Sequence, residues 1–184
     1  MKGRGFSLSR SRVPLGFLLG ALYVLWARPT PLTLLVGCPI ALAGLLLRAV
    51  AAGHIRKNDV LATTGPYRYT RNPLYLGSTV LATGLIVAAH AWILALLAVA
   101  MLLGVYLPVI RQEERFLAGR FGAAFERYRS QVPQLLPRLL PAPVGDSGGA
   151  NFSWALYLRH REYNAIIGFV GLMAVLLLKC FWWR

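Results

Sequence analysis

The chain has 184 residues, of which 57% are hydrophobic and only 14% are charged, and its net charge is +14. A soluble domain carries about 25% charged residues, so this composition favours a membrane protein over a soluble one. The positive residues flank apolar runs and accompany no nucleic-acid recognition motif. We therefore expect an anionic membrane surface as the partner of this charge, and no nucleic-acid partner.

Five apolar runs follow one another along the chain, at residues 13–27, 32–50, 73–89, 91–110 and 165–180. A helix that crosses the hydrocarbon needs about 20 residues, with a range of about 17–25. The runs predict an all-α integral membrane protein with about five transmembrane helices. We expect a membrane core over residues 1–143, and a linker, an interfacial segment and a C-terminal transmembrane helix over residues 144–184.

The basic residues predict the orientation of the five spans. If the N-terminus is cytoplasmic, all but three of the 20 lysines and arginines fall in cytoplasmic segments; the exceptions are Arg28, Lys179 and Arg184. Cytoplasmic loops carry the excess of Lys and Arg in membrane proteins. The sequence therefore predicts a cytoplasmic N-terminus and an extracytoplasmic C-terminus.

Three segments interrupt the pattern, at residues 53–72, at 111–143 and at the Pro/Gly/Ser linker 143–150. The second has helix-like spacing from Glu113 to Tyr128, and its prolines end the helix. A tight hairpin at His90 would return the chain to the same face, so the start of the third run and Glu113 should lie close together. The chain lacks HExxH, P-loop and GxGxxG patterns, and its GxSxG match at residues 145–149 falls in the Pro/Gly/Ser linker, so we expect no metal site and no serine triad.

The residues of the first two of these segments resemble the signatures of the isoprenylcysteine carboxyl methyltransferase family. Gly65-Pro66-Tyr67 and Arg71-Asn72-Pro73-Leu74-Tyr75-Leu76-Gly77 are similar to its Gly-x-Tyr … Arg-His-Pro-x-Tyr-x-Gly signature. Glu113-Glu114-x-x-Leu117 … Phe121-Gly122-x-x-Phe125-x-x-Tyr128 … Val132-Pro133 is similar to its second signature. The shorter run from Asn72 to Ser78 also resembles phospholipid N-methyltransferases.

The resemblance implies methyl transfer from S-adenosylmethionine (SAM) to a lipophilic or lipid acceptor, with SAM in a helical pocket on the cytoplasmic side. It maps cofactor-binding positions onto Asp59, Val60, Leu61, Ala62, Tyr67, Asn72, Pro73, Leu74, Tyr75 and Glu113. A carboxylate such as Glu113 suits the SAM ammonium, and tyrosines suit its adenosyl group. No residue is assigned a catalytic role.

The chain departs from the family pattern at three positions. Asp59 and Asn72 stand where the family has histidines, and Val109 stands where it has an arginine that contacts the substrate. Arg111 is the nearby candidate for that substrate contact. Because the arginine is missing, we expect a lipid amine to be a better methyl acceptor than a prenylcysteine carboxylate, unless Arg111 replaces it.

Two other functions stay open at the level of the sequence. One is a sterol-type reductase that uses NADPH on a related fold, for which no separate nucleotide motif is present. The other is a non-enzymatic membrane accessory protein, which would not need the glutamates and tyrosines of the two signatures. The sequence does not indicate the oligomeric state.

Overall fold

The computed structural model describes residues 20–56, 60–144 and 151–182, and this part of the chain is helical without strands. Residues 20–26 form α1, followed by α2 (Pro31–His54), α3 (Pro73–Ala89), α4 (Ile93–Met101), α5 (Leu107–Phe121), α6 (Ala123–Gln131), α7 (Trp154–Arg159) and α8 (Tyr163–Phe181). A 3-10 turn at Gly65–Arg68 precedes α3, and a π-helical segment at Leu102–Tyr106 joins α4 to α5.

Helix α2 starts at a capping box. Thr30 and Thr33 each accept a hydrogen bond from the other's backbone N–H, and Pro31 occupies the first helical turn. These contacts satisfy two of the N–H groups that a helix start leaves without partners, and proline in the first turn loses none. Pro73 likewise occupies the first turn of α3, where Asn72 makes no side-chain cap hydrogen bond.

The α3–α4 connection is the tight hairpin predicted from the sequence. His90 adopts a left-handed conformation with φ of 51°, and its N–H donates to Val87 O at 3.0 Å. Helix α3 runs back along α2, and both pack with α1, α4 and α8 around one apolar core.

Within the described ranges, three helices are long and apolar enough to cross a membrane: Pro31–His54, the continuous helix Ile93–Phe121 and Tyr163–Phe181. Helix α3 is apolar but has 17 residues. Residues 13–19 of the predicted first span lie outside the described residues, and residues 20–26 of it form α1. An integral membrane protein is thus supported, and the count of five spans remains a prediction.

The second polar segment differs from the single helix that its spacing predicted. It breaks at Gly122, whose φ of 51° is outside helical geometry, and α6 starts there in a new direction. Glycine tolerates this conformation because it has no Cβ. The break turns Phe125 and Tyr128 into a second, smaller core with Leu61, Val132 and Ala142.

The chain after α6 runs beside the 3-10 turn and is held to it through the backbone. Arg71 N donates to Pro133 O, Arg138 N to Tyr69 O and Ala142 N to Arg68 O, each at 2.9 Å. This pairing fixes the turn and the start of α3 against α6, where the candidate site lies.

Candidate functional site

A cavity of about 480 Å³ lies between the chain after α2, the start of α3, and helices α5 and α6. Small-molecule sites occupy clefts of about 300–1,000 Å³ lined by apolar and aromatic groups with a few polar ones. The lining fits that description, with Leu61, Phe116, Leu117 and Phe125 beside tyrosines, arginines and two glutamates.

The cavity brings together most of the residues expected to bind the cofactor. Those that line it are Val60, Leu61, Ala62, Tyr67, Asn72, Pro73, Leu74, Tyr75 and Glu113. Asp59 lies outside the described residues. Arg111 is exposed on α5 and is not part of the lining, and Val109 is buried away from it.

Glu113 faces the start of α3 across the cavity. The Tyr75 hydroxyl donates to Glu113 Oε1 at 3.0 Å, so the two signature segments meet as the hairpin topology predicted. The Tyr75 ring lies 5.5 Å from that of Tyr106, which also lines the cavity. Sequence reasoning missed Tyr106, because it falls inside an apolar run.

Glu114, in contrast, is held by neighbouring protein groups. Asn72 Nδ2 and Gln134 Nε2 donate to its two oxygens at 3.3 and 2.9 Å. Arg71 Nε lies 3.1 Å from Glu114 Oε1, an ion-pair distance, although its N–H is not aligned for a hydrogen bond. Asn72 therefore has a structural partner of its own at the position where the family has a histidine.

Tyr67 supplies a buried polar group in the cavity wall. Only 5% of the residue is exposed, and its hydroxyl has no hydrogen-bond partner within the described part of the chain. Its carbonyl accepts from the Tyr128 hydroxyl at 2.8 Å. Burial, reinforced by Tyr128 and Glu113, raises the pKa of Tyr67 far above its usual range. The hydroxyl stays protonated and can donate to a ligand.

The C-terminal segment also contributes to the site, which sequence reasoning missed. Glu162 accepts two-pronged hydrogen bonds from Arg48, with Arg48 Nη2 at 2.8 Å from Glu162 Oε2 and Nε at 3.1 Å. Arg48 also donates to Ser78 Oγ, and both residues line the cavity. The signal in the sequence is an arginine inside an apolar run and one of only six acidic residues.

A larger cavity of about 780 Å³ lies at the other end of α2, against the end of α8. It holds Arg28 and Lys179 but none of the predicted site residues, and Lys179 Nζ donates to Val24 O at 2.7 Å. The larger volume of this cavity therefore does not make it the candidate functional site. In the described ranges, no group of three or more His, Cys, Asp or Glu side chains could hold a metal ion.

Comparison with known proteins places these residues in a family. The phospholipid methyltransferase family matches residues 41–124, which contain most of the cavity lining. The cobalt-zinc-cadmium resistance protein CzcN of Cupriavidus metallidurans is 37% identical over 155 residues, covering 82% of this chain and 67% of that protein.

Two further curated relatives match shorter parts of the chain. The protein-S-isoprenylcysteine O-methyltransferase of Schizosaccharomyces pombe is 32% identical over 99 residues, 54% of this chain and 42% of that protein. The nickel-cobalt-cadmium resistance protein NccN of Alcaligenes xylosoxydans xylosoxydans is 36% identical over 116 residues, 62% of this chain and 53% of that protein.

No solved structure matches the chain significantly. The chain spans about two thirds of the length of CzcN and about half of the other two relatives. The two signatures, the phospholipid methyltransferase match and the CzcN similarity agree with one another. The chain belongs to the isoprenylcysteine carboxyl methyltransferase and phospholipid methyltransferase family, together with its CzcN-type relatives.

Proposed function

We propose that this protein is a SAM-dependent methyltransferase that binds SAM in the 480 Å³ cavity and methylates a lipophilic acceptor at the cytoplasmic membrane face. The observation that carries the proposal is the convergence of the two family signatures on one cavity. Every described residue that the resemblance maps to cofactor binding lines it. The methyltransferase names of the matched family and of the Schizosaccharomyces pombe relative favour methyl transfer over NADPH-dependent reduction.

The residues present fit SAM. Glu113 offers a carboxylate oxygen to the ammonium, and the Tyr67 hydroxyl, which has no partner among the described residues, offers a donor to the ribose or adenine. Tyr75 and Tyr106 offer ring faces and edges to the adenine. When bound, SAM supplies a methyl group on a sulfonium: the acceptor lone pair bonds to the methyl carbon as the carbon–sulfur bond breaks, and sulfur keeps that electron pair as a neutral thioether.

The protein's part in such a transfer is alignment and the exclusion of water. An in-line displacement is accelerated most when the methyl donor and the acceptor are held in the correct alignment. The apolar walls around Phe116, Leu117 and Phe125 suit a site from which water is excluded. A carboxylate acceptor already has its lone pair free. An amine reacts in its neutral form, so an ammonium acceptor must first lose a proton.

The charges of the lining favour an amine over a carboxylate as the acceptor. Arg48 and Arg71 are paired with Glu162 and Glu114, so neither is free to receive a carboxylate. The third arginine of the lining, Arg56, is exposed just beyond the end of α2. An unpaired carboxylate in a partly dry site is costly. Arg111, the proposed substitute for the family's substrate arginine, would have to reach the cavity from the exposed side of α5.

The test is SAM and NADPH binding to detergent-purified protein, followed by methyl incorporation from labelled SAM into two acceptors. We expect binding of SAM and not NADPH, and transfer to phosphatidylethanolamine above transfer to a farnesylcysteine analogue. NADPH binding alone would favour the reductase, and binding of neither would favour the accessory protein. Strong farnesylcysteine methylation that Arg111→Ala abolishes would instead identify a carboxyl methyltransferase.

A further inference from the structure

Five charged residues line the cavity, and three of them are already neutralised by ion pairs. Arg48 pairs with Glu162 at 2.8 Å, and only 24% and 12% of these side chains are exposed. Arg71 and Glu114, both in the lining, pair with each other at 3.1 Å. These charges hold the walls together, since a buried pair that loses one partner leaves a costly unpaired charge.

The other two charges in the lining, Glu113 and Arg56, have opposite signs and no ion pair with any described residue. One Glu113 oxygen accepts a neutral hydrogen bond from Tyr75, which leaves the negative charge uncompensated. Arg56 is exposed just beyond the end of α2, and no hydrogen bond of its guanidinium to a described residue is present. The cavity thus presents one anion and one cation to a ligand.

The two residues come from different walls. Arg56 follows α2 and stands just before the lining residues Val60, Leu61 and Ala62, whereas Glu113 belongs to α5. A zwitterion with an ammonium and a carboxylate on one carbon would satisfy both charges at once. An arginine fork matches a carboxylate better than a lysine does, because it can donate two parallel hydrogen bonds.

We propose that Arg56 and Glu113 form a zwitterion clamp for the amino-acid end of SAM, with Arg56 on the carboxylate and Glu113 on the ammonium. This inference rests on the proposed function, and it assigns a role to Arg56 that neither signature contains. The clamp would hold the amino-acid end of SAM between α5 and the chain after α2.

Equilibrium binding of SAM and of decarboxylated SAM, which keeps the amine and lacks the carboxylate, tests the two halves separately. Arg56→Gln is expected to weaken SAM about tenfold and to leave decarboxylated SAM nearly unchanged. Glu113→Gln is expected to weaken both ligands about tenfold to a hundredfold, so that their ratio stays that of the wild type. Arg56→Lys keeps the positive charge but cannot donate two parallel hydrogen bonds. It should therefore lose only part of the preference for SAM over decarboxylated SAM.

Arg115→Gln is the matched control, because it removes the same charge from an exposed α5 position outside the lining. It should leave both affinities at wild-type values. The clamp is overturned if Arg56→Gln keeps the wild-type ratio of SAM to decarboxylated SAM, or if Arg115→Gln changes that ratio equally. A folded wild-type protein that binds neither ligand would overturn the proposed function itself, which is a different result from a clamp that fails.

Discussion

At the residue scale, removing the hydroxyl should change the free energy of unfolding in opposite ways at two buried tyrosines of the cavity wall. The Tyr67 hydroxyl has no partner in the described part of the chain, so Tyr67→Phe removes an unsatisfied group and no protein hydrogen bond. The Tyr128 hydroxyl donates to Tyr67 O at 2.8 Å, so Tyr128→Phe leaves a buried carbonyl unpaired. Leaving a buried acceptor unsatisfied costs about 1–3 kcal/mol.

We therefore expect Tyr67→Phe to keep or slightly raise the free energy of unfolding, and Tyr128→Phe to lower it by about 1–3 kcal/mol. If the Tyr67 hydroxyl serves a ligand, Tyr67→Phe should also weaken SAM binding about threefold to tenfold. Thermal unfolding in detergent and SAM titration measure the two effects. A Tyr67→Phe protein that is destabilised and binds SAM normally would assign the hydroxyl to the fold.

The family resemblance predicted a set of residues whose described members line one cavity, and their role in cofactor binding stays a prediction. Glu113 and Glu114 are adjacent on α5, and both line the cavity. Glu114 is held by Arg71, Asn72 and Gln134, whereas Glu113 has no ion pair with a described residue. The two signatures could not predict the ion pair between Arg48 and Glu162. The two residues are 114 positions apart, and their contact depends on how the C-terminal segment packs against α2.

At the element scale, glycines set the distance between α2 and α3. A Cβ at Gly84 would overlap the backbone of Ala41, and a Cβ at Gly44 would overlap that of Leu81. Small residues let helix backbones approach closely in membranes, where van der Waals packing drives association. The apolar runs predicted both helices. The only sign in the sequence of the close approach of the two helices is the small residues dispersed along these runs.

Gly84→Ala should force α2 and α3 apart and destabilise the protein by about 1–3 kcal/mol or more. Gly171→Ala, in α8, is the control, since nothing lies within 4 Å of a Cβ built there. It should be neutral or stabilising by up to about 1 kcal/mol, because alanine favours the helix. The measurement is the unfolding midpoint and the monodisperse yield in detergent. Equal losses in both variants would contradict a backbone contact at Gly84.

The long helix carries a local irregularity that the apolar pattern did not predict. The π-helical segment Leu102–Tyr106 comes just before Pro108, which lacks the N–H that a regular α-helix would use and crowds the preceding turn. The extra residue in that turn rotates the side chains of the following residues of α5 around the helix axis. Tyr106 at the end of the segment and Glu113 in α5 both line the cavity.

At the scale of the whole molecule, helix lengths predict that the cavity lies at one membrane face. Glu113 follows Ile93 by about 20 residues, which at about 1.5 Å per residue is about 30 Å, the thickness of the hydrocarbon. The 17 residues of α3 rise by about 25 Å, and Asn72 at its start contacts Glu114. Both helices therefore reach the site at the level where a membrane span ends.

That face should be the cytoplasmic one, because the basic residues gather in the segments that flank it. A reporter inserted at Gly148 is expected to read as cytoplasmic, and one fused after Arg184 as extracytoplasmic, since α8 lies between them. Alkaline phosphatase and fluorescent-protein fusions, active on opposite sides, measure both. A Gly148 reporter that reads as extracytoplasmic would reverse the orientation and move the cavity to the outer face. Two reporters on the same side would show that α8 lies along the membrane rather than across it. Because SAM is made in the cytoplasm, a Gly148 reporter that reads as extracytoplasmic would also contradict SAM as the cofactor.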